Sequence, residues 1–270
     1  MKDYIEISFG EGTATNELLL AALAHIGFEG FEENEDRLNA FIPADQYDEE
    51  FTKEIAAKFG VEFSLKVIKP VNWNEQWESG FEPVCVGNFA AIRANFHPPV
   101  KNVMHEIVIT PKMSFGTGHH ATTYLMIESM GRIDFSGKKV LDFGTGTGIL
   151  AILAEKCGAT EIVAIDNDEW SIANARENIA NNECRNINLV HSDFPSVKQT
   201  YDVILANINR NVIEAHLPTL VELLHPRGVL LLSGLLLEDE TTIDQLCKSF
   251  LLKFAERTTR QSWLCLRYYK

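Results

Sequence analysis

The chain is poor in cysteine. Its 270 residues include only Cys85, Cys157, Cys184, Cys247 and Cys265, and none are spaced Cys-x-x-Cys. An odd count without that spacing argues against a disulfide framework or a zinc site, and a reducing cytoplasm is the expected compartment. Positive charge is also scarce: 24 Lys and Arg face 38 Asp and Glu, a formal net charge of -14. Displacing counterions from a nucleic acid needs the opposite balance, so no direct DNA binding is expected. A small-molecule substrate or a basic protein partner is compatible with it. Long apolar runs are missing too. Ile149 to Ala154 and Gly228 to Leu237 fall short of the ~20 residues a membrane helix requires, so no membrane association is expected. The N-terminus has no basic segment followed by an apolar run, and no signal peptide is expected.

What is present suits a globular protein. Hydrophobic residues make up 46% of the chain and charged residues 23%, enough for a sizeable core without covalent staples. The length suggests one large or two modest domains. Tyr4 to Phe9 alternates apolar and polar residues, a strand pattern, and Asn16 to Ile26 is apolar at helical spacing with Gly27 as the stop. Phe28 to Glu33 and Arg37 to Ile42 read as strands around a polar turn. Pro43-Ala44-Asp45 is expected to open a second helix ending at Gly60, before a strand from Val61 to Ile68. The order βαββαβ predicts a small ferredoxin-like α+β domain over residues 1–68.

Residues 69–111 form a less regular connector, punctuated by Pro70, Pro83, Pro98 and Pro99. Trp73, Trp77 and Phe81 within it repeat at the spacing of one helical face. They either pack a short helix onto the next domain or line a substrate groove. From Lys138 onward strands alternate with helices, which predicts a parallel sheet covered on both faces. The last two strands, about Leu252 to Arg257 and Ser262 to Tyr268, lack a helix between them and predict an antiparallel ending. Residues 112–270 are thus expected to form an α/β domain.

The chemistry concentrates in Val140-Leu141-Asp142-Phe143-Gly144-Thr145-Gly146-Thr147-Gly148, where a strand runs into a helix. Glycines there allow a tight turn and a close ligand approach, beyond the carboxyl ends of the strands. Asp166 ends the next strand, where a carboxylate can accept both hydrogen bonds of a ribose diol. A dinucleotide-binding enzyme would share these elements, but its G-x-G-x-x-G is not met: Ile149 or Ala151 stands where the third glycine belongs. An acidic residue followed by G-x-G-x-G resembles the pattern of class I S-adenosylmethionine-dependent methyltransferases instead. Asp142 would repel a pyrophosphate but can help hold the cationic amino acid part of S-adenosylmethionine.

Other segments surround this one. Ser192-Asp193 either meets the adenine edge or caps a turn. Ala206-Asn207-Ile208-Asn209 follows the fourth strand of the domain, where Asn207 can orient an incoming amine. Phe115-Gly116-Thr117-Gly118-His119-His120-Ala121-Thr122-Thr123 lacks the Gly-Lys-Ser/Thr ending of a phosphate loop. Adjacent histidines with no further His or Cys cluster do not make a metal site, and none is expected. A Gly-hinged lid over the cofactor is the expected role.

Together these segments resemble the PrmA family, the methyltransferases of large-subunit ribosomal protein eleven. The likeness covers most of the chain, and the Phe-Gly-Thr-Gly-x-His-x-Thr-Thr segment followed by the methyltransferase glycines is its specific part. It implies a ferredoxin-like domain that recognises the ribosomal protein, tethered to a class I catalytic domain. It implies methylation of lysine ε-amino and N-terminal α-amino groups. Carried over by position, the cofactor contacts are Thr123, Gly144, Asp166 and Asn207, with Phe115, Thr122 and Gly146 close by. The family usually has Thr and Pro at the positions of His119 and Ala121, and Leu at that of Asn209. Two other functions are compatible with the residues: a methyltransferase of another acceptor, such as RNA or a small amine, and a ribosome-assembly factor without activity.

Overall fold

The computed structural model describes residues 3–10, 17–34, 37–68, 82–112, 119–194 and 199–270. The chain divides into two compact units, residues 1–80 and residues 81–270. Trp73, Trp77, Phe81 and Phe115 lie outside the described residues.

The first unit is a four-stranded antiparallel sheet with two helices. Strands β1 (Tyr4–Phe9), β2 (Gly30–Asn34), β3 (Arg37–Pro43) and β4 (Phe63–Ile68) lie in the order β2-β3-β1-β4. Helices α1 (Glu17–His25) and α2 (Glu49–Phe59) complete the βαββαβ arrangement expected from the sequence. Alternation sets the core: Ile5, Ile7 and Phe9 of β1 are buried with Leu19 and Leu23 of α1. The second helix begins later than its sequence suggests. Pro43 ends β3, paired with Tyr4, and Asp48 is the cap, accepting from the Glu50 and Phe51 amides at 2.9 and 3.2 Å. Several Asp and Pro residues compete as start signals here, and the strand pairing of Pro43 decides among them.

The second unit is built on a seven-stranded sheet. Its strands are β8 (Lys139–Phe143), β9 (Glu161–Asp166), β10 (Ile187–His191), β11 (Tyr201–Asn207), β12 (Leu224–Leu236), β13 (Lys253–Arg260) and β14 (Trp263–Tyr269). The order is β10-β9-β8-β11-β12-β14-β13. The first five are parallel, and β14 pairs antiparallel with both neighbours, as the missing helix predicts. Helices α3 (Ala121–Met130), α4 (Ile149–Lys156), α5 (Glu169–Asn181), α6 (Arg210–Leu223) and α7 (Glu240–Ser249) flank it. One core contains Leu125, Ile152, Leu153 and Val203; a second contains Leu141, Ile204, Leu217 and Ile243. Successive strand residues face opposite sides, so strands such as β9, β12 and β14 feed both cores. Sequence order reverses between β8 and β11, the crevice where open α/β sheets bind ligands.

Residues 82–111, within the less regular connector expected over residues 69–111, fold into β5 (Val84–Val86), β6 (Ala90–Ala94) and β7 (His105–Ile109), a small separate sheet. Ile92, Ile107 and Ile109 extend the core that holds Leu125 and Ile152. The free edge of β7 is satisfied by side chains. The Val108 amide donates to Asn182 Oδ1 at 2.9 Å and the Thr110 amide to Asn178 Oδ1 at 2.8 Å. No helix among the described residues is long and apolar enough to cross a membrane.

Candidate active site

A cleft of about 570 Å³ opens at the carboxyl ends of β8, β9 and β11. Phe143, Gly144 and Gly146 reach it from β8 and its turn, and Asp166 and Asn167 from the end of β9. Ser192 and Asp193 follow β10, and Asn207, Ile208 and Asn209 follow β11. Val212 and His216 project from α6, while His120, Thr122, Gly234 and Trp263 line the remainder.

The turn after β8 is tightly tied. The Gly144 and Thr145 amides both donate to the Ile165 carbonyl at 2.9 Å, coupling the turn to β9. Gly144 has φ +76°, a left-handed conformation that a β-carbon disfavours. A β-carbon there would also collide with Cγ2 of Ile208. Gly234, at φ +82°, meets the same residue from the other side: its β-carbon would collide with the Ile208 carbonyl oxygen. Two glycines from distant strands thus leave room for the segment that carries Asn207.

Asp166 ends β9 with its carboxylate at the turn. Oδ2 accepts the Gly146 amide at 2.8 Å and Oδ1 the Asp168 amide at 3.0 Å. A carboxylate oxygen can accept twice, so each retains capacity for a diol hydroxyl.

Asp142 sits differently from its neighbours in sequence. It is fully buried beneath the turn and is not among the residues lining the cleft. Its Oδ2 accepts from Thr145 Oγ1 at 2.6 Å and from the Ala151 amide at 3.2 Å, whereas Oδ1 has no partner. Burial pushes its pKa up to about 7, against the opposing effect of those hydrogen bonds. Asp142 therefore organises the loop from below, without the direct access to a ligand that its position in the motif suggests.

On the other flank, His120 caps α3. Its Nδ1 lies 2.7 Å from Thr122 Oγ1 and accepts from the Thr122 amide at 3.3 Å, while its ring meets Trp263 edge to face at 4.6 Å. His119 turns away, with Nε2 2.9 Å from the Glu82 carbonyl. Thr123 is buried and its Oγ1 accepts from Asn207 Nδ2 at 3.5 Å. Asn207 Oδ1 is buried with no partner, a polar atom that a ligand can satisfy.

The structure brings Gly144, Gly146, Asp166, Asn207, Thr122, Ser192 and Asp193 to one cleft, with Thr123 one contact behind it. His216, Trp263 and Gly234 are added. No local motif marks these three, because they enter from α6, β14 and β12 through the sheet topology alone.

A parallel sheet extended by an antiparallel strand, a G-x-G-x-G turn after β8 and an acidic residue ending β9 define a class I methyltransferase. Residues 12–270 match the family model described as Ribosomal protein L11 methyltransferase (PrmA). The chain belongs to this family. It is 37% identical to the Ribosomal protein L11 methyltransferase of Phocaeicola vulgatus over 98% of either chain. It is 39% identical to that of Porphyromonas gingivalis over 93% of this chain and 90% of that protein. The crystal structure of ribosomal protein L11 methylase from Lactobacillus delbrueckii subsp. bulgaricus superposes with a TM-score of 0.65 at 28% identity. It covers 70% of this chain and 98% of that one.

Proposed function

We propose that this methyltransferase moves methyl groups from S-adenosylmethionine to lysine ε-amino and N-terminal α-amino groups of ribosomal protein L11, in the cytoplasm. Family membership supports the acceptor, since the similar proteins carry that substrate in their names. The observation that carries the chemistry is the buried, partnerless Oδ1 of Asn207, at the end of β11 beside the glycine turn.

The cleft fits the donor. Asp166 offers a carboxylate for the ribose, and the turn at Gly144 and Gly146 lets backbone approach closely. Thr122, Thr123 and Asn207 belong to the same pocket wall and its backing. We assign Phe115 to the cofactor by its place in the family motif only. S-adenosylmethionine supplies an already activated methyl group, so the protein's task is alignment. Asn207 Oδ1 accepts a hydrogen bond from the incoming amine and fixes the direction of its lone pair. The amine reacts unprotonated, although a free lysine has a pKa near 10.4. Withdrawal of the amine from water into the cleft favours its neutral form. The -14 charge suits a basic ribosomal protein as partner. Transfer of labelled methyl groups to purified, unmodified L11 tests the reading; a protein that binds the donor yet leaves L11 unlabelled would refute the acceptor assignment.

A further inference from the structure

His216 is not marked by any motif, yet it lines the cleft from the second turn of α6. Its ring is held by two phenylalanines. Phe143 meets it edge to face at 5.1 Å, and Phe194 does so at 4.8 Å. Its Nδ1 is shut off from solvent and has no hydrogen-bond partner among the described residues. Buried polar atoms are rarely left in that state without a function, and a ligand is one way to complete them.

The sheet order locates this residue along the cleft. Strands β10 and β14 lie on opposite sides of the β8–β11 crevice. Trp263, at the start of β14, and the His120 that packs on it occupy one side. Ser192, Asp193 and Phe194, following β10, belong to the other, and His216 touches Phe194. Asp166 ends β9, between β10 and β8. With the ribose at Asp166 and the acceptor at Asn207, the β10 side receives the part of the donor beyond the ribose. Aromatic edges with a few polar groups suit a flat heteroaromatic ring.

We propose that His216 recognises the adenine base of the cofactor, making a hydrogen bond to it from an imidazole nitrogen that is unsatisfied in the free protein. This rests on S-adenosylmethionine being the donor. The χ2 torsion of histidine is broad, so the ring can turn to meet the base. His216 is thus a determinant of base specificity, distinct from the groups that hold the ribose and the reacting centre.

The test is calorimetric binding of S-adenosylhomocysteine, and of its inosine analogue, to the full chain and to His216→Phe and His216→Gln. Thermal denaturation of each unliganded protein accompanies it. His216→Phe is expected to weaken S-adenosylhomocysteine binding about tenfold and to shrink the preference for adenine over hypoxanthine, without lowering the unliganded Tm. His216→Gln, which keeps a hydrogen-bonding group, should recover part of the affinity. A purely structural histidine gives the reverse pattern: a lower Tm with unchanged affinity and unchanged base preference, and that result overturns the proposal. Failure of the unaltered protein to bind S-adenosylhomocysteine at all would instead remove the donor assignment, and this inference with it.

Discussion

Asn178 Nδ2 donates to the Thr147 carbonyl at 2.9 Å, so a fully buried side chain of α5 holds the glycine turn from behind. The same side chain accepts the Thr110 amide beyond β7. One amide thus links the small sheet, α5 and the glycine turn. Asn178→Ala is expected to cost about 1–3 kcal/mol of stability, because it removes both of these hydrogen bonds from a buried site. It should also weaken S-adenosylhomocysteine binding by loosening the turn. Urea denaturation and calorimetry measure both; an unchanged midpoint would show that these groups find other partners.

Gly144 is constrained twice, by its left-handed φ and by Ile208. Gly144→Ala is expected to destabilise the protein by more than the ~1 kcal/mol that the backbone conformation alone costs. Shortening Ile208 to Ala in the same chain should return part of the loss, because it removes the collision but not the strain. Additive effects in the double variant would mean that the two residues do not couple.

Asp142 makes stability depend on pH with an unusual sign. Its folded pKa is about 7, above that of an exposed carboxyl. From the unfolded value near pH 4 up to about 7, the folded state keeps a proton that the unfolded state has lost. Stability from this group is therefore full below about pH 4 and declines as pH rises through about 7. Relative to Asp142→Asn, the unaltered protein should lose stability over this window. Denaturation midpoints across it, compared between the two proteins, provide the check; a constant difference would place the Asp142 carboxyl outside the titrating set.

The catalytic and binding roles proposed for Asn207 and Asp166 separate by measurement. Asn207→Ala is expected to lower single-turnover methyl transfer about 10²-fold, the cost of a misaligned reactant. Near-normal transfer would remove Asn207 from the reaction. Asp166→Ala should weaken S-adenosylhomocysteine binding at least tenfold, about 1.4 kcal/mol. It should also destabilise the turn, since the Gly146 and Asp168 amides lose their acceptor. An unchanged dissociation constant would contradict the ribose assignment.

The parts of this protein legible in its sequence are those encoded locally. Alternation in Tyr4–Phe9 and the strand-turn-helix around Gly144 give the two architectures because their signals lie within a few consecutive residues. Strands β5 to β7 were hidden by their brevity and by the Gly87-Asn88 and Pro98-Pro99 interruptions, and their edge is completed by asparagines some seventy residues away. Asp142 stands out in the sequence as a ligand group, but burial beneath the turn, which no spacing reveals, directs it to Thr145 and Ala151. Gly234 carries no local signal in the sequence. Its need for a missing side chain arises from Ile208, brought to it by parallel pairing of β11 with β12. His216 and Trp263 enter the cleft through the sheet topology, one from α6 and the other from the start of β14.

The most direct test of the central claim is to incubate the purified protein with methyl-labelled S-adenosylmethionine and the complete set of unmodified ribosomal proteins, then locate the label by mass spectrometry. The account predicts label on lysine side chains or the N-terminus of L11, with the other proteins unlabelled. Label confined to RNA or to a different protein, or no label despite bound donor, would contradict it.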